Sequence, residues 1–172
     1  MAVTSADTRQ IASEERTIRG FLTGKGHDPD VFSVAFHLYR TTQEAIARAE
    51  VEVLRPAGVT WVSYVTLMTL WIQGACEVRQ LARGQVVSKP AVVKSLHALQ
   101  RAGYVRRVRS KTDRRLVSVE LKPRGQALIR RLQPRIHRRE HVLTGHLTLV
   151  EKRTLARLLR KLDSRSTVRR DR

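Results

Sequence analysis

The spacing of hydrophobic residues divides the first half of the chain into helices. Between residues 31 and 53, hydrophobic side chains recur at steps of three, four and seven, which predicts one face of a long helix. That helix begins with Asp28 as its cap and ends before Pro56. Residues 61–73 are hydrophobic on nearly every side, which predicts a central, buried helix capped by Thr60.

The next segment has the pattern of a helix-turn-helix. Residues 77–82 predict a short helix, residues 83–85 a turn, and Ser88 the cap of a second helix that ends at Gly103. At about 100° per residue, the second helix has one hydrophobic and one polar face. The hydrophobic face contains Val92, Leu96 and Leu99, and the opposite face contains Pro90, Lys94, His97 and Arg101.

After Gly103 the hydrophobic period changes from that of a helix to that of a strand. Residues 116–121 alternate between hydrophobic and polar side chains, and residues 104–109 supply a partner strand. The six residues between them, 110–115, are polar and include three cations. The pattern predicts a β-hairpin with a positive tip.

Two more helices are predicted in the last third of the chain. Pro123 begins the first of these, and Pro134 inside it predicts a kink. Thr148 and Glu151 have the spacing of a capping box, which predicts the start of the second. The tail, residues 164–172, has few hydrophobic anchors and is predicted to be disordered.

Charge is distributed unevenly along the chain. The 172 residues carry 34 Lys and Arg against 15 Asp and Glu, a net charge of +19. Residues 1–100 contain 11 of the cations and 9 of the carboxylates, so residues 101–172 carry a net charge of +17. A field of one sign attracts polyanions, and the charge distribution therefore favours nucleic acid as the partner.

Several other classes are disfavoured by the sequence. The single cysteine, Cys76, cannot form an intrachain disulfide, and residues 1–10 lack the order of a signal peptide. The most hydrophobic run, residues 61–72, is too short to span a bilayer and contains hydroxyl side chains. We expect a cytoplasmic protein that does not bind a membrane, with no cofactor.

The predicted helix-turn-helix and hairpin suggest distinct contacts with double-stranded DNA. Side chains on the outer face of the second helix would meet base edges in the major groove. Cations at the hairpin tip suit the minor groove, and cations on the first strand suit phosphates. The candidates are Ser88, Lys89, Pro90, Lys94 and His97 on the helix, Arg106, Arg107 and Arg109 on the strand, and Lys111, Arg114 and Arg115 at the tip.

In order along the chain, several short motifs resemble those of the MarR family of bacterial transcriptional regulators. They are GVT at 58–60, VRQLA at 78–82, VSKPAVVKSL at 87–96, LQRAGYVRR at 99–107, DRR at 113–115 and LKPRG at 121–125. The resemblance covers residues 31–162. It implies a mainly α protein with a small β-hairpin wing (α+β), a winged helix-turn-helix whose long N- and C-terminal helices form a homodimer.

The resemblance also implies a pseudopalindromic operator and release by a small aromatic or anionic ligand, or by an oxidant. Within the wing it implies that Asp113 braces the loop by a salt bridge while an arginine enters the minor groove. For the ligand pocket it suggests His37, Arg40, Trp61 and Tyr64; the alternative is that Trp61 and Tyr64 are ordinary core aromatics. Lys122 departs from the family, in which a threonine commonly caps the following helix.

Two further features of the sequence have chemical interpretations. Cys76 is either an oxidation switch or a small buried hydrophobic residue, and we favour the latter. His137, Glu140 and His141 match the spacing of a helical pair of metal ligands, but four arginines surround them and no third ligand is evident. We therefore expect neither a metal site nor catalysis.

The predicted organisation has five parts. They are a flexible arm over residues 1–29 with a short helix around residues 11–22, a dimerisation helix over 30–56, a DNA-binding domain over 57–122, further dimerisation helices over 123–163, and the basic tail over 164–172. The function predicted is that of a sequence-specific transcriptional regulator, most simply a repressor. The alternatives are a sequence-tolerant nucleic-acid-binding or architectural protein, and a metal-dependent hydrolase at His137 and His141.

Overall fold

The structure is a computed structural model that describes residues 5–84, 88–109 and 117–167. Contacts divide the chain into two compact units, Met1–Ala47 and Arg48–Arg172. Three short strands and seven α-helices are assigned within the described residues. The helices are α1 (Ser5–Thr23), α2 (Pro29–Ala49), α3 (Trp61–Gln73), α4 (Val78–Gly84), α5 (Lys89–Arg101), α6 (Pro123–Thr144) and α7 (Leu149–Thr167), and the strands are β1 (Cys76–Glu77), β2 (Val105–Arg109) and β3 (Val117–Leu121).

The first unit contains more helix than the sequence predicted. In place of a flexible arm with a short helix, residues 5–23 form the 19-residue helix α1. An ion pair of 3.0 Å joins Arg19 of α1 to Asp30 of α2, and Arg19 also donates a hydrogen bond of 2.6 Å to the Ser33 hydroxyl. These contacts help to order residues 5–23, whose sequence is too polar to predict a packed helix from the hydrophobic pattern alone. The predicted cap is confirmed, because Asp28 accepts the backbone N–H of Asp30 at 2.8 Å.

A tight junction connects α2 to α3. The chain continues from α2 through a π-helical turn, Glu50–Leu54, and a 3-10 turn, Arg55–Ala57. Gly58 then adopts a left-handed conformation (φ 71°), which an L side chain disfavours. Thr60 caps α3 as predicted, accepting the N–H of Ser63 at 3.2 Å.

The helix-turn-helix is formed by α4 and α5, and α5 packs against both α4 and α3. The predicted cap of α5 is present, since the Ser88 hydroxyl accepts the N–H of Ala91 at 3.4 Å. A buried hydrogen bond of 3.0 Å joins the hydroxyls of Ser63 on α3 and Ser95 on α5. This bond, within a hydrophobic contact, fixes the position of α5 against the central helix.

Strands β2 and β3 follow α5 and form a three-stranded antiparallel sheet with β1, which precedes α4, instead of the two-stranded hairpin that the sequence predicted. The strand order of the sheet is β1-β3-β2, with Val119 paired to Cys76 on one side and to Arg107 on the other. Glu77, predicted to begin a helix, belongs instead to β1, and α4 starts at Val78. The reason is that pairing with β3 satisfies the backbone of this two-residue strand, a long-range contact that hydrophobic period cannot reveal.

The last two helices agree with the sequence in their starting points. Lys122 makes no side-chain hydrogen bond at the start of α6, as expected for this departure from the family. Thr148 and Glu151 form the predicted capping box, with the Thr148 N–H donating to the Glu151 carboxylate at 2.7 Å. Helix α6 continues through Pro134 without a break in its assignment, and α7 extends to Thr167, four residues into the predicted disordered tail.

One hydrophobic core connects these elements of the second unit. It draws on α3, α4, α5, the sheet and α6, and the sequence-predicted inner face of α5 lies within it. Two arginines of α6 also contact the π-helical turn: Arg135 donates to the Glu52 carbonyl at 3.2 Å, and Arg139 pairs with the Glu52 carboxylate at 3.2 Å. No helix in the described ranges is both long and hydrophobic enough to cross a membrane.

Candidate nucleic-acid interface

Helix α5 presents a polar face to solvent because its other face is fixed in the core. Val92, Leu96 and Leu99 are at most 2% exposed, which sets the rotation of the helix about its axis. The sequence-predicted contacts on the opposite side are all exposed; they are Ser88, Lys89, Pro90, Lys94 and His97. Pro90 lies in the first turn, where a backbone N–H would have no partner within the helix, so it does not interrupt α5.

The three arginines of β2 differ in their surroundings. Arg106 is paired with the carboxylate of Glu120 on β3, so part of its hydrogen-bonding capacity is already used. Arg107 and Arg109 are exposed on the same face of the strand, since alternate residues share a face. The sequence treated all three alike, whereas the sheet register separates Arg106 from the other two.

A basic cleft lies between the end of α5 and β2. It is lined by His97, Gln100, Arg101 and Arg107, encloses about 460 Å³ and is open to solvent. Among the described residues no carboxylate lines it, so its electrostatic field is suited to an anion. Gln100 and Arg101 were not among the predicted DNA contacts. Arg101 lies one helical turn after His97 on the same face of α5, and this spacing could have identified it from the sequence.

The predicted wing tip lies outside the described residues. Lys111, Asp113, Arg114 and Arg115 are the residues concerned. The two strands that lead to the tip are paired over five residues, from Val105 with Leu121 to Arg109 with Val117. The assignment of the tip to the minor groove therefore stays a prediction.

The four predicted ligand contacts fall in both units. In the first unit, His37 pairs with Glu15 at 3.0 Å and Arg40 with Glu14 at 3.5 Å. In the second unit, the ring centroids of Trp61 and Tyr64, both on α3, lie 5.6 Å apart. Tyr64 is buried, and burial together with the nearby negative charge of Glu140 raises its pKa to about 12.

The other two chemical candidates have defined surroundings. Cys76 is buried in the core at 5% exposure, and burial raises the pKa of its thiol, which disfavours the reactive thiolate. On the surface of α6, the Nε2 atoms of His137 and His141 lie 3.2 Å apart, and His137 Nδ1 lies 3.0 Å from Glu140. Within the described part of the chain, no group of three or more His, Cys, Asp or Glu side chains is arranged to hold a metal ion.

Comparison with known proteins gives a consistent result. The family model described as the MarR family matches residues 59–117, which span α3 to the start of β3. The chain is 32% identical over 133 residues to an uncharacterised HTH-type transcriptional regulator, YwaE of Bacillus subtilis, covering 77% of this chain and 78% of that protein. It is 31% identical over 132 residues to the HTH-type transcriptional repressor Mb2911 of Mycobacterium bovis, covering 76% of this chain and 94% of that protein.

The fold is also similar to solved structures. One is BpsR of Bordetella bronchiseptica, whose DNA binding is regulated by 6-hydroxynicotinic acid. The two chains superpose with a TM-score of 0.69 and 25% identity, covering 76% of this chain and 98% of that one.

Proposed function

This chain belongs to the MarR family of transcriptional regulators, and from that premise we propose that it is a homodimeric repressor released from a pseudopalindromic operator by a small ligand. The observation that carries the proposal is the orientation of α5. Its inner face is anchored in the core, and the outer face presents Lys89, Lys94 and His97 to solvent. A helix held this way by a supporting helix can enter the major groove without rearrangement.

The proposed contacts divide into those that read sequence and those that position the protein. Lys89 and Lys94 meet acceptors on base edges, where lysine favours guanine. The basic cleft beside α5 accepts a backbone phosphate, with Arg107 and Arg101 as its donors. The wing tip enters the minor groove through Lys111, Arg114 and Arg115, and Asp113 braces it.

Dimerisation is supported by hydrophobic side chains that the single chain leaves in solvent. On α2, Val31 is 67% and Tyr39 is 74% exposed, and on α7 three leucines are each nearly half exposed: Leu155, Leu158 and Leu162. Residues of this size scattered singly on a surface need no explanation, but a stripe at helical spacing does. We propose that the helices within residues 30–56 and 123–163 form the dimer around the DNA-binding residues 57–122.

The ligand part of the proposal rests on the chemistry of four side chains. An anionic group of the ligand would have to displace the Glu15 and Glu14 carboxylates that pair with His37 and Arg40. The half-buried Trp61 offers an aromatic surface, with the buried Tyr64 ring behind it. The regulation of BpsR by 6-hydroxynicotinic acid, an anionic aromatic molecule, makes that compound a reasonable first probe. Release by such a probe is the expected result.

The runner-up is a sequence-tolerant nucleic-acid-binding protein, which the net charge of +17 over residues 101–172 favours. Footprinting on the DNA beside the coding region, with excess random duplex as competitor, separates the two. A repressor protects two half-sites about one helical turn apart, whereas a sequence-tolerant protein protects all positions alike.

Two variants test the assigned roles. Lys94→Ala should change the preferred base at one position of each half-site, with a loss of about 1–3 kcal/mol of discrimination. Arg115→Ala should weaken operator binding without changing that preference, because the minor groove carries degenerate information. Arg16→Ala, which removes an exposed cation of α1, is the matched control and should leave both properties unchanged. Equal affinity of the parent protein for operator and random duplex would refute the proposal.

A further inference from the structure

Helix α7 has two faces of opposite chemistry. Leu155, Leu158 and Leu162 are each nearly half exposed and lie on one side of the helix. Exposed arginines lie on the other side, at steps of four and three; they are Arg153, Arg157 and Arg160. At about 100° per residue, the centres of the two sets are roughly 180° apart.

The arginine face is electrostatically unfavourable for an isolated helix. Residues at these spacings are neighbours on the helix surface, and like charges there repel. Arg153 also lies near the N-terminus of α7, where the helix dipole disfavours a cation. No ion pair assigned among the described residues involves any of the three arginines. A face that only had to be solvated would carry charges of both signs, so this arrangement points to an anionic partner.

We propose that the arginine face of α7 is a second DNA-binding surface, which contacts the phosphate backbone of duplex DNA independently of α5. The face extends about 10 Å along the helix axis, since each residue adds about 1.5 Å. Duplex DNA carries one charge per roughly 1.7 Å of its own axis, so several phosphates lie within reach of a stripe this long. Guanidinium groups suit this partner because each binds phosphate through two parallel hydrogen bonds.

The orientation of this surface rests on the proposed homodimer in one respect. If the leucine face of α7 is covered by the partner subunit, the arginine face necessarily points to solvent, and a dimer presents it twice. The surface then accounts for charge that the winged lobe does not use, since residues 123–172 contain 15 cations and 4 carboxylates.

The test compares three triple variants with the parent protein. R153Q/R157Q/R160Q removes the surface, and R153K/R157K/R160K keeps its charge. R16Q/K25Q/R55Q removes the same net charge from exposed positions outside α6 and α7. Fluorescence anisotropy with a random-sequence duplex of about 20 base pairs gives the affinity at several salt concentrations, and light scattering gives the oligomeric state of each variant.

The expected result is specific to α7. The glutamine variant should bind random duplex at least tenfold more weakly at about 0.1 M salt, and the slope of log K against log salt should fall by about 2.7 for three lost phosphate contacts. The lysine variant should retain most of the affinity, and the distant triple variant should lose far less than the α7 variant. All variants should keep the oligomeric state of the parent.

Three outcomes would overturn the inference. In the first, the two glutamine variants lose affinity equally, which would mean that only net charge matters. In the second, the α7 variant retains the parent affinity and slope. In the third, its DNA affinity is unchanged while binding to phosphatidylglycerol vesicles is lost, which would assign the face to a membrane surface. Failure of operator recognition by the parent refutes the proposed function but leaves this comparison intact, because the probe has no operator.

Discussion

Replacing Gly125 by alanine should disturb the connection between the end of α5 and the start of α6. A Cβ atom at Gly125 would lie 2.2 Å from the carbonyl oxygen of Tyr104 and 3.0 Å from its carbonyl carbon. That oxygen already accepts the N–H of Lys122 at 2.9 Å, and Tyr104 lies three residues after Arg101, the last residue of α5. Because the obstacle is backbone, no side-chain rotation can relieve the overlap, and the start of α6 must move.

The size of the effect follows from three contributions. Forcing an extra carbon into a packed position typically costs about 1–3 kcal/mol. Weakening the hydrogen bond from Lys122 to Tyr104 costs about 1 kcal/mol. Exchanging glycine for alanine within a helix stabilises that helix by about 1 kcal/mol. The free energy of unfolding should therefore fall by about 1–3 kcal/mol.

Urea denaturation followed by far-UV circular dichroism measures this difference. With a slope of about 2 kcal/mol per molar urea, the midpoint of Gly125→Ala should fall by about 0.5–1.5 M. All proteins must be compared at one concentration, because dimerisation makes the midpoint concentration-dependent. Gly20→Ala is the control: a Cβ at Gly20 of α1 meets nothing within 4 Å, so this change should be neutral or stabilising. A midpoint for Gly125→Ala at or above that of the parent would refute the reasoning.

Three further predictions concern titration and capping. A hydrogen bond from Ser33 is the main cause that lowers the pKa of Glu15 below its ordinary value of 4.5. The stability that ionised Glu15 gives the first unit is therefore complete above pH 4.5 and is lost as pH falls through the lower, folded-state pKa. Hydrogen exchange of α1 should show this loss, and Glu15→Gln should abolish the pH dependence. Because burial raises the pKa of Tyr64 from 10.0 to about 12, the free energy of unfolding should fall as pH rises between those values. Tyr64→Phe should flatten this part of the plot of stability against pH, and an unchanged plot would contradict the assignment. Thr148→Ala removes the hydroxyl that accepts the N–H of Glu151 and should lower stability by about 1 kcal/mol in thermal melting; an unchanged melting temperature would contradict the role of this cap.

The sequence predicted most of the helical framework because each helix has a local signature. Asp28, Thr60 and Ser88 all cap the helices that they were expected to cap. Their side chains bond to backbone only two or three residues away, so the signal lies within a few letters of sequence. The inner and outer faces of α5 were likewise predictable, because a helical period fixes which residues share a face.

Features that depend on distant partners were not predictable in the same way. Strand β1 has two residues, too few for a period, and exists because β3 pairs with it. The difference between Arg106 and Arg107 follows from strand register, which brings Glu120 opposite Arg106. The basic cleft needs the end of α5 and β2 to meet, and no local pattern contains that geometry.

The attachment of two arginines to one residue of the π-helical turn limits how the chain can vary in length. Arg135 and Arg139 are one turn apart on α6, and both hold Glu52. Inserting a single residue early in α6 would rotate everything after it by about 100° and carry both guanidinium groups away from Glu52. An insertion of about seven residues, two complete turns, would restore the rotation but displace the pair along the axis by roughly 10 Å. The number of residues between the start of α6 and this anchor is therefore fixed, and length differences among related chains should fall in loops or beyond Arg139.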